Sequence, residues 1–135
     1  MRMKRLMAIG ALVLGSSAAM AGLESEVPVA VTLNPDGSGS AFGSMTTARF
    51  SKNNVEYIGC GVRRVEDGVG GVFVFGFCQA NTADEVLGFC DTENPALIAS
   101  IGDQDDFSFI TFSWNAAGQC RSIGNSTQSF YIPKK

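Results

Sequence analysis

Val72-Phe73-Val74-Phe75-Gly76-Phe77-Cys78-Gln79 is the stretch that decides the fold. It is rich in β-branched and aromatic side chains, lacks Pro, and follows the turn signals Glu66-Asp67-Gly68 and Gly70-Gly71, so it reads as a strand. Side chains alternate across a strand, which puts Phe73, Phe75 and Phe77 on one face and Val72, Val74 and Cys78 on the other. Both faces are apolar, so this strand is expected to be a central one.

The neighbours on either side follow from turn positions. Val55 to Val65 is β-like, and a hairpin pivoting near Val69 sets Cys60 opposite Cys78. Asn81 to Glu85 is a polar turn, and Val86 to Cys90 returns antiparallel. A pivot near Asp84 sets Cys90 beside Cys78. The expectation is demanding, because a slip of one residue moves every side chain to the other face.

Further out, Val27, Val29, Val31 and Leu33 alternate with Pro28, Ala30 and Thr32, which predicts a half-buried edge strand. Asn34-Pro35-Asp36-Gly37-Ser38-Gly39 is a turn. A second strand is expected over Ala41 to Phe50, rich in Ser, Thr and Gly and wet on its outer face. Asp91 to Gly102 is the one helical candidate, with Asn94 as N-cap, Pro95 in the first turn and Gly102 closing it. Phe107 to Trp114 reads as a strand with two apolar faces, Asn115-Ala116-Ala117-Gly118 as its turn, Gln119 to Ile123 as the return, and Ser129 to Ile132 as a last short strand. Short strands separated by turn signals define an all-β chain: a small antiparallel β-sandwich or barrel with one short helix, braced by disulfides.

A chain of 135 residues, 45% hydrophobic and 17% charged, allows one globular domain. It contains no His. Ser-His and Cys-His catalysis, His-ligated zinc and an imidazole pH switch are therefore excluded.

Residues 1–21 read as a signal peptide, and 22–135 as a single β-rich exported domain. Arg2, Lys4 and Arg5 precede an apolar run from Leu6 to Gly15, and Ala19-Met20-Ala21 offers small residues for cleavage. The apolar run is too short to span a bilayer comfortably. The strands are too short for an outer-membrane barrel. Removal of residues 1–21 takes three basic residues from ten, leaving seven against 13 acidic ones, a net charge of −6. That balance argues against nucleic acid and anionic lipid as partners, and no membrane insertion is expected after cleavage.

Cys60, Cys78, Cys90 and Cys120 show no C-x-x-C spacing, so neither a zinc ribbon nor a thioredoxin-type pair is indicated. Four cysteines in an exported chain read as two disulfides. Three connectivities are open, and the sequence does not choose among them; Cys60–Cys78 with Cys90–Cys120 is the preferred one.

Candidate sites are few. Asp103, Asp105 and Asp106 could offer oxygens to calcium, but no Gly or closing Glu completes a calcium loop, and a solvated loop beside a strand explains them better. Glu66-Asp67 and Asp84-Glu85 sit in turns, where adjacent carboxylates lack the separation that acid–base work needs. Phe dominates the aromatics, which suits core packing. Tyr57, Trp114 and Tyr131 are the residues that could present a ligand surface, with a core lid as the plainer role for Trp114. Asn125-Ser126-Thr127 matches an N-glycosylation sequon.

These observations lead to an exported non-enzymatic β domain that acts through its surface as a soluble protein- or glycan-binding module, without a cofactor and with no metal assigned. The alternatives are a self-associating extracellular structural subunit whose first strand pairs in trans, and a carboxylate-based hydrolase using Asp103, Asp105, Asp106 or Glu66. The sequence leaves periplasm and full secretion equally open.

Overall fold

The protein is described by a computed structural model covering residues 22–134. The expected signal peptide lies outside the described residues. The strands are β1 (Ala30–Leu33), β2 (Gly39–Ser44), β3 (Tyr57–Glu66), β4 (Val72–Asn81), β5 (Leu87–Thr92), β6 (Phe109–Trp114) and β7 (Cys120–Ser126); the helices are α1 (Met45–Arg49) and α2 (Pro95–Gly102). Two antiparallel sheets form, one in the order β1-β2-β6-β7 and the other β3-β4-β5. They face each other as a sandwich and do not close into a barrel, so the barrel alternative falls.

The hairpin registers match the sequence arithmetic. Cys60 pairs with Cys78, and Cys78 with Cys90. Inward-facing Ile110, Phe112, Cys78, Cys90 and Ala80 are fully buried and form the centre of the core, with Ala41, Ile58, Trp114 and Ile123 around them. Both disulfides form, Cys60–Cys78 within one sheet and Cys90–Cys120 between the two sheets. The second bridge lies beside a single parallel contact between Asp91 and Gln119, where the Asp91 N–H donates to the Gly118 carbonyl at 3.2 Å. Such bridges place folding in an oxidising compartment. No helix among the described residues is long and apolar enough to cross a membrane.

Several element bounds depart from the sequence reading, each for a local reason. The strand expected over Ala41 to Phe50 stops at Ser44, whose hydroxyl accepts from the Thr47 N–H and caps α1, so the described residues hold two α-helices rather than one. The first strand starts at Ala30 rather than Val27, because side chains claim the earlier amides: Val27 N–H donates to Thr47 Oγ1 at 3.0 Å and Val29 N–H to Glu56 Oε1 at 2.7 Å. Asn53 Oδ1 accepts from the Val55 and Glu56 amides, which delays β3 to Tyr57. Ser129–Tyr131 is a 3₁₀ turn instead of a strand. At α2 the expected devices are present: Asn94 accepts from the Ala96 N–H and Pro95 opens the helix. Asp91 and Thr92, however, belong to β5.

Candidate functional site

The site follows from strand parity. Cys78 must face inward, since its row neighbour Cys90 reaches across to Cys120 on the other sheet. Gly76 also faces inward, where a Cβ would collide with Ile101 of α2. The inner face of β4 is therefore built from small residues. Its alternate residues, Phe73, Phe75 and Phe77, are driven to the outside.

There they form a ridge. Phe73 and Phe75 stack with ring centroids 5.6 Å apart, Phe75 and Phe77 lie 6.5 Å apart, and Phe77 stacks on Phe89 of β5 at 6.5 Å. Phe73 is 46% exposed and Phe89 54%. Exposed Val65 and Leu87 extend the apolar surface at its two ends. Arg63 lies over the Phe77 ring, its guanidinium carbon 4.9 Å from the centroid. Gly61 opposes Phe77 in the ladder, and any Cβ there would meet the ring, so the glycine makes room for it. Asp91 opposes Phe77 from β5, which sets one cation and one anion on either side of the ridge.

The other outer face differs in kind. Thr32, Ser40, Ser113 and Ser122 share one row across β1, β2, β6 and β7. The Ser113 and Ser122 hydroxyls bond at 2.6 Å. The molecule thus presents a continuous phenylalanine ridge on one sheet and, on the other, a hydroxyl row with a separate aromatic group at one end, where Phe42 and Phe109 lie 6.2 Å apart and Tyr131 stacks on Phe109.

The three residues expected to offer a ligand surface do not share one. Trp114 is 7% exposed, faces the core, and donates from Nε1 to the Gly37 carbonyl at 3.1 Å. Tyr57 lines a groove of about 430 Å³ with Arg49, Asp106 and Phe107. Phe107 holds a left-handed φ of 62° there. Tyr131 lines a separate cavity of about 440 Å³ beside Lys52 and Glu56, and its ring stacks on Phe109.

The carboxylates are similarly dispersed. Asp103 caps the end of α2, the Asp105 carbonyl accepts from Ser108, and Asp106 faces the Tyr57 groove. Among the described residues, no three Asp, Glu or Cys come together as a metal-holding group. Glu66 ends β3 at the far hairpin. Beside it, Asp67 accepts from the amides of Val69 and Gly71 at 2.8 and 2.9 Å, and these bonds hold its carboxyl below its ordinary pKa. The Ser38 hydroxyl and amide do the same for Asp36. The sequon residue Asn125 donates its side-chain amide to the Ser100 carbonyl.

Sequence reading missed Phe73, Phe75, Phe77 and Phe89 as surface residues. The signal that could have found them was present. Three cysteines in one row, with one bridged to a distant fourth, must face the core, and the phenylalanines between them must face out. Comparison of the chain with protein-family models, curated proteins and solved structures finds no match.

Proposed function

We propose that the chain is an exported, non-enzymatic binding module that takes a protein partner on the outer face of the β3-β4-β5 sheet. The observation that carries this reading is the exposed ridge of Phe73, Phe75, Phe77 and Phe89 with Arg63 laid over it. Its open apolar area is on the order of 300 Å², given roughly 200 Å² for a fully exposed Phe, about half exposure at Phe73 and Phe89, and partial burial of Phe75 and Phe77. Monomeric proteins rarely leave a larger contiguous patch in water unless something covers it. Aromatic residues with Arg are what the buried centres of protein interfaces favour.

A protein suits this face better than a glycan, because the ridge itself is phenylalanine, Trp114 is buried and Tyr131 lines a separate cavity, which leaves Tyr57, in the row of Leu87, as the one tyrosine at the end of this face. Export is supported by the two disulfides together with the signal-like residues 1–21. The non-enzymatic reading draws on the dispersed carboxylates. The Asp36 and Asp67 carboxyls are held low by hydrogen bonds within their own turns, which fits turn caps and not a general acid. The second reading is a self-associating subunit; the open backbone edge of β4 favours it, and pairing there leaves the outer face free.

The test is a photo-activated crosslinking side chain placed at Phe75 or at Ser113 in cells that export the protein. The reading expects a discrete protein adduct from position 75, abolished by Phe77→Ser with Phe89→Ser, and none from position 113. Equal adducts from both faces, or none from position 75, would overturn it.

A further inference from the structure

β4 runs from Val72 to Asn81, but β5 accompanies it only from Gly76 to Asn81. The four residues Val72-Phe73-Val74-Phe75 therefore have β3 on one side and, among the described residues, no strand on the other. Parity says which backbone groups are left open. The Cα atoms of Cys60 and Cys78 are 4.0 Å apart, the close spacing of a pair that exchanges no hydrogen bonds. The N–H and C=O of Cys78 thus point toward β5, and those of Val74 and Val72 point the same way, past the end of β5. The turns agree: Asp67 N–H donates to Gly71 O within the β3-β4 hairpin, and Thr82 N–H to Val86 O within the β4-β5 hairpin.

An open edge of alternating Val and Phe, without Pro, Lys or a bulge, is a template for strand addition. A groove of about 600 Å³ runs beside it, lined by Phe73, Phe75, Thr92, Glu93, Gln119 and Arg121 among others. The β3-β4 hairpin tip, Asp67-Gly68-Val69-Gly70-Gly71, is mostly glycine, and Val69 at its apex is 89% exposed.

We infer that this edge pairs with the same edge of a second copy of the chain, antiparallel and about a two-fold axis at Phe73. This register uses only the open groups: Val72 exchanges bonds with the second copy's Val74, and Val74 with the second copy's Val72. Centring on Val74 instead would require Gly76, already paired with Thr92. Each glycine-rich tip then enters the groove of the other copy. The axis is perpendicular to the sheet, so both outer faces turn the same way, and the two Phe ridges join through Phe73. The pairing stands on the β4 edge alone; that the doubled ridge is a binding surface rests on the function proposed above.

The experiment is sedimentation equilibrium of the oxidised chain without its first 21 residues, beside Val72→Pro, Phe73→Lys and Phe77→Ser. Val72→Pro removes an N–H that only the second copy uses, and Pro is tolerated at a sheet edge. Phe73→Lys leaves the backbone intact and opposes two charges at the axis. The expected result is a dimer for the parent and for Phe77→Ser, and a folded monomer by circular dichroism for the other two. A monomeric parent, or a dimer indifferent to both Val72→Pro and Phe73→Lys, would overturn the inference. Loss of the position-75 adduct in Phe77→Ser alone would count for the binding face and leave the pairing untouched.

Discussion

Cys60 and Cys78 stand directly opposite each other on β3 and β4 and are bridged, so the longest hairpin of the fold is tied within its own sheet. Cys90, one strand further along the same row, is bridged to β7 of the other sheet. One row of three cysteines thus carries both the hairpin tie and the tie between layers.

The two bridges should differ in their effect on stability. They close 18 and 30 residues, which restricts the unfolded chain by about 3 and about 4 kcal/mol. Removing Cys60–Cys78 leaves a ten-pair ladder to hold the strands, whereas removing Cys90–Cys120 loosens the two sheets. Cys90→Ala with Cys120→Ala is therefore expected to lower the urea midpoint more than Cys60→Ala with Cys78→Ala. Equilibrium unfolding checks the order.

Much of this was legible in the sequence, and the limit has a physical cause. The hairpin registers, the cysteine row and the Asn94 cap depend on local turns and parity, which a sequence states directly. The start of β1 at Ala30 depends on side chains distant in sequence, Thr47 and Glu56, competing for backbone amides, whereas the end of β2 is a local cap by Ser44 in a stretch whose Ser and Thr suit a strand as well as a cap. The outward Phe ridge was hidden by a general expectation that large apolar residues lie inside. Here small Gly76 and Cys78 occupy the core side, and the phenylalanines cannot.

Glycines around Trp114 set a second test. Gly39 sits against the Trp114 ring and the Thr32 carbonyl, whereas Gly59 has open space where a Cβ would lie. Gly39→Ala is expected to cost about 1–3 kcal/mol by overpacking. Gly59→Ala should change stability by less than about 0.5 kcal/mol. Denaturant midpoints separate the two.

The cap of α2 gives a third. Asn94→Ala removes the acceptor for the Ala96 N–H and should cost about 1 kcal/mol, with Asn94→Ser close to the parent. Thermal unfolding of the pair reads this out.

The hairpin tip predicts a pH response. The Val69 and Gly71 amides hold the Asp67 carboxyl below its ordinary pKa. A depressed carboxyl contributes its stabilisation above the unfolded value, and the contribution is lost as pH falls through the lower folded one. The amide resonances of Val69 and Gly71 should therefore stay constant through mildly acidic pH and move only below the usual carboxylate range. In Asp67→Ala that titration should be absent.

The outer face of β3-β4-β5 is the centre of the account, and solvent footprinting tests it most directly. Side chains would be labelled by a carbene reagent in the purified protein and again in the compartment to which cells export it. The account predicts that Phe75, Phe77 and Phe89 lose labelling in the cell, while Phe42 and Phe50, exposed elsewhere on the molecule, keep theirs. Unchanged labelling of the ridge, or protection confined to Phe42 and Phe50, would contradict it.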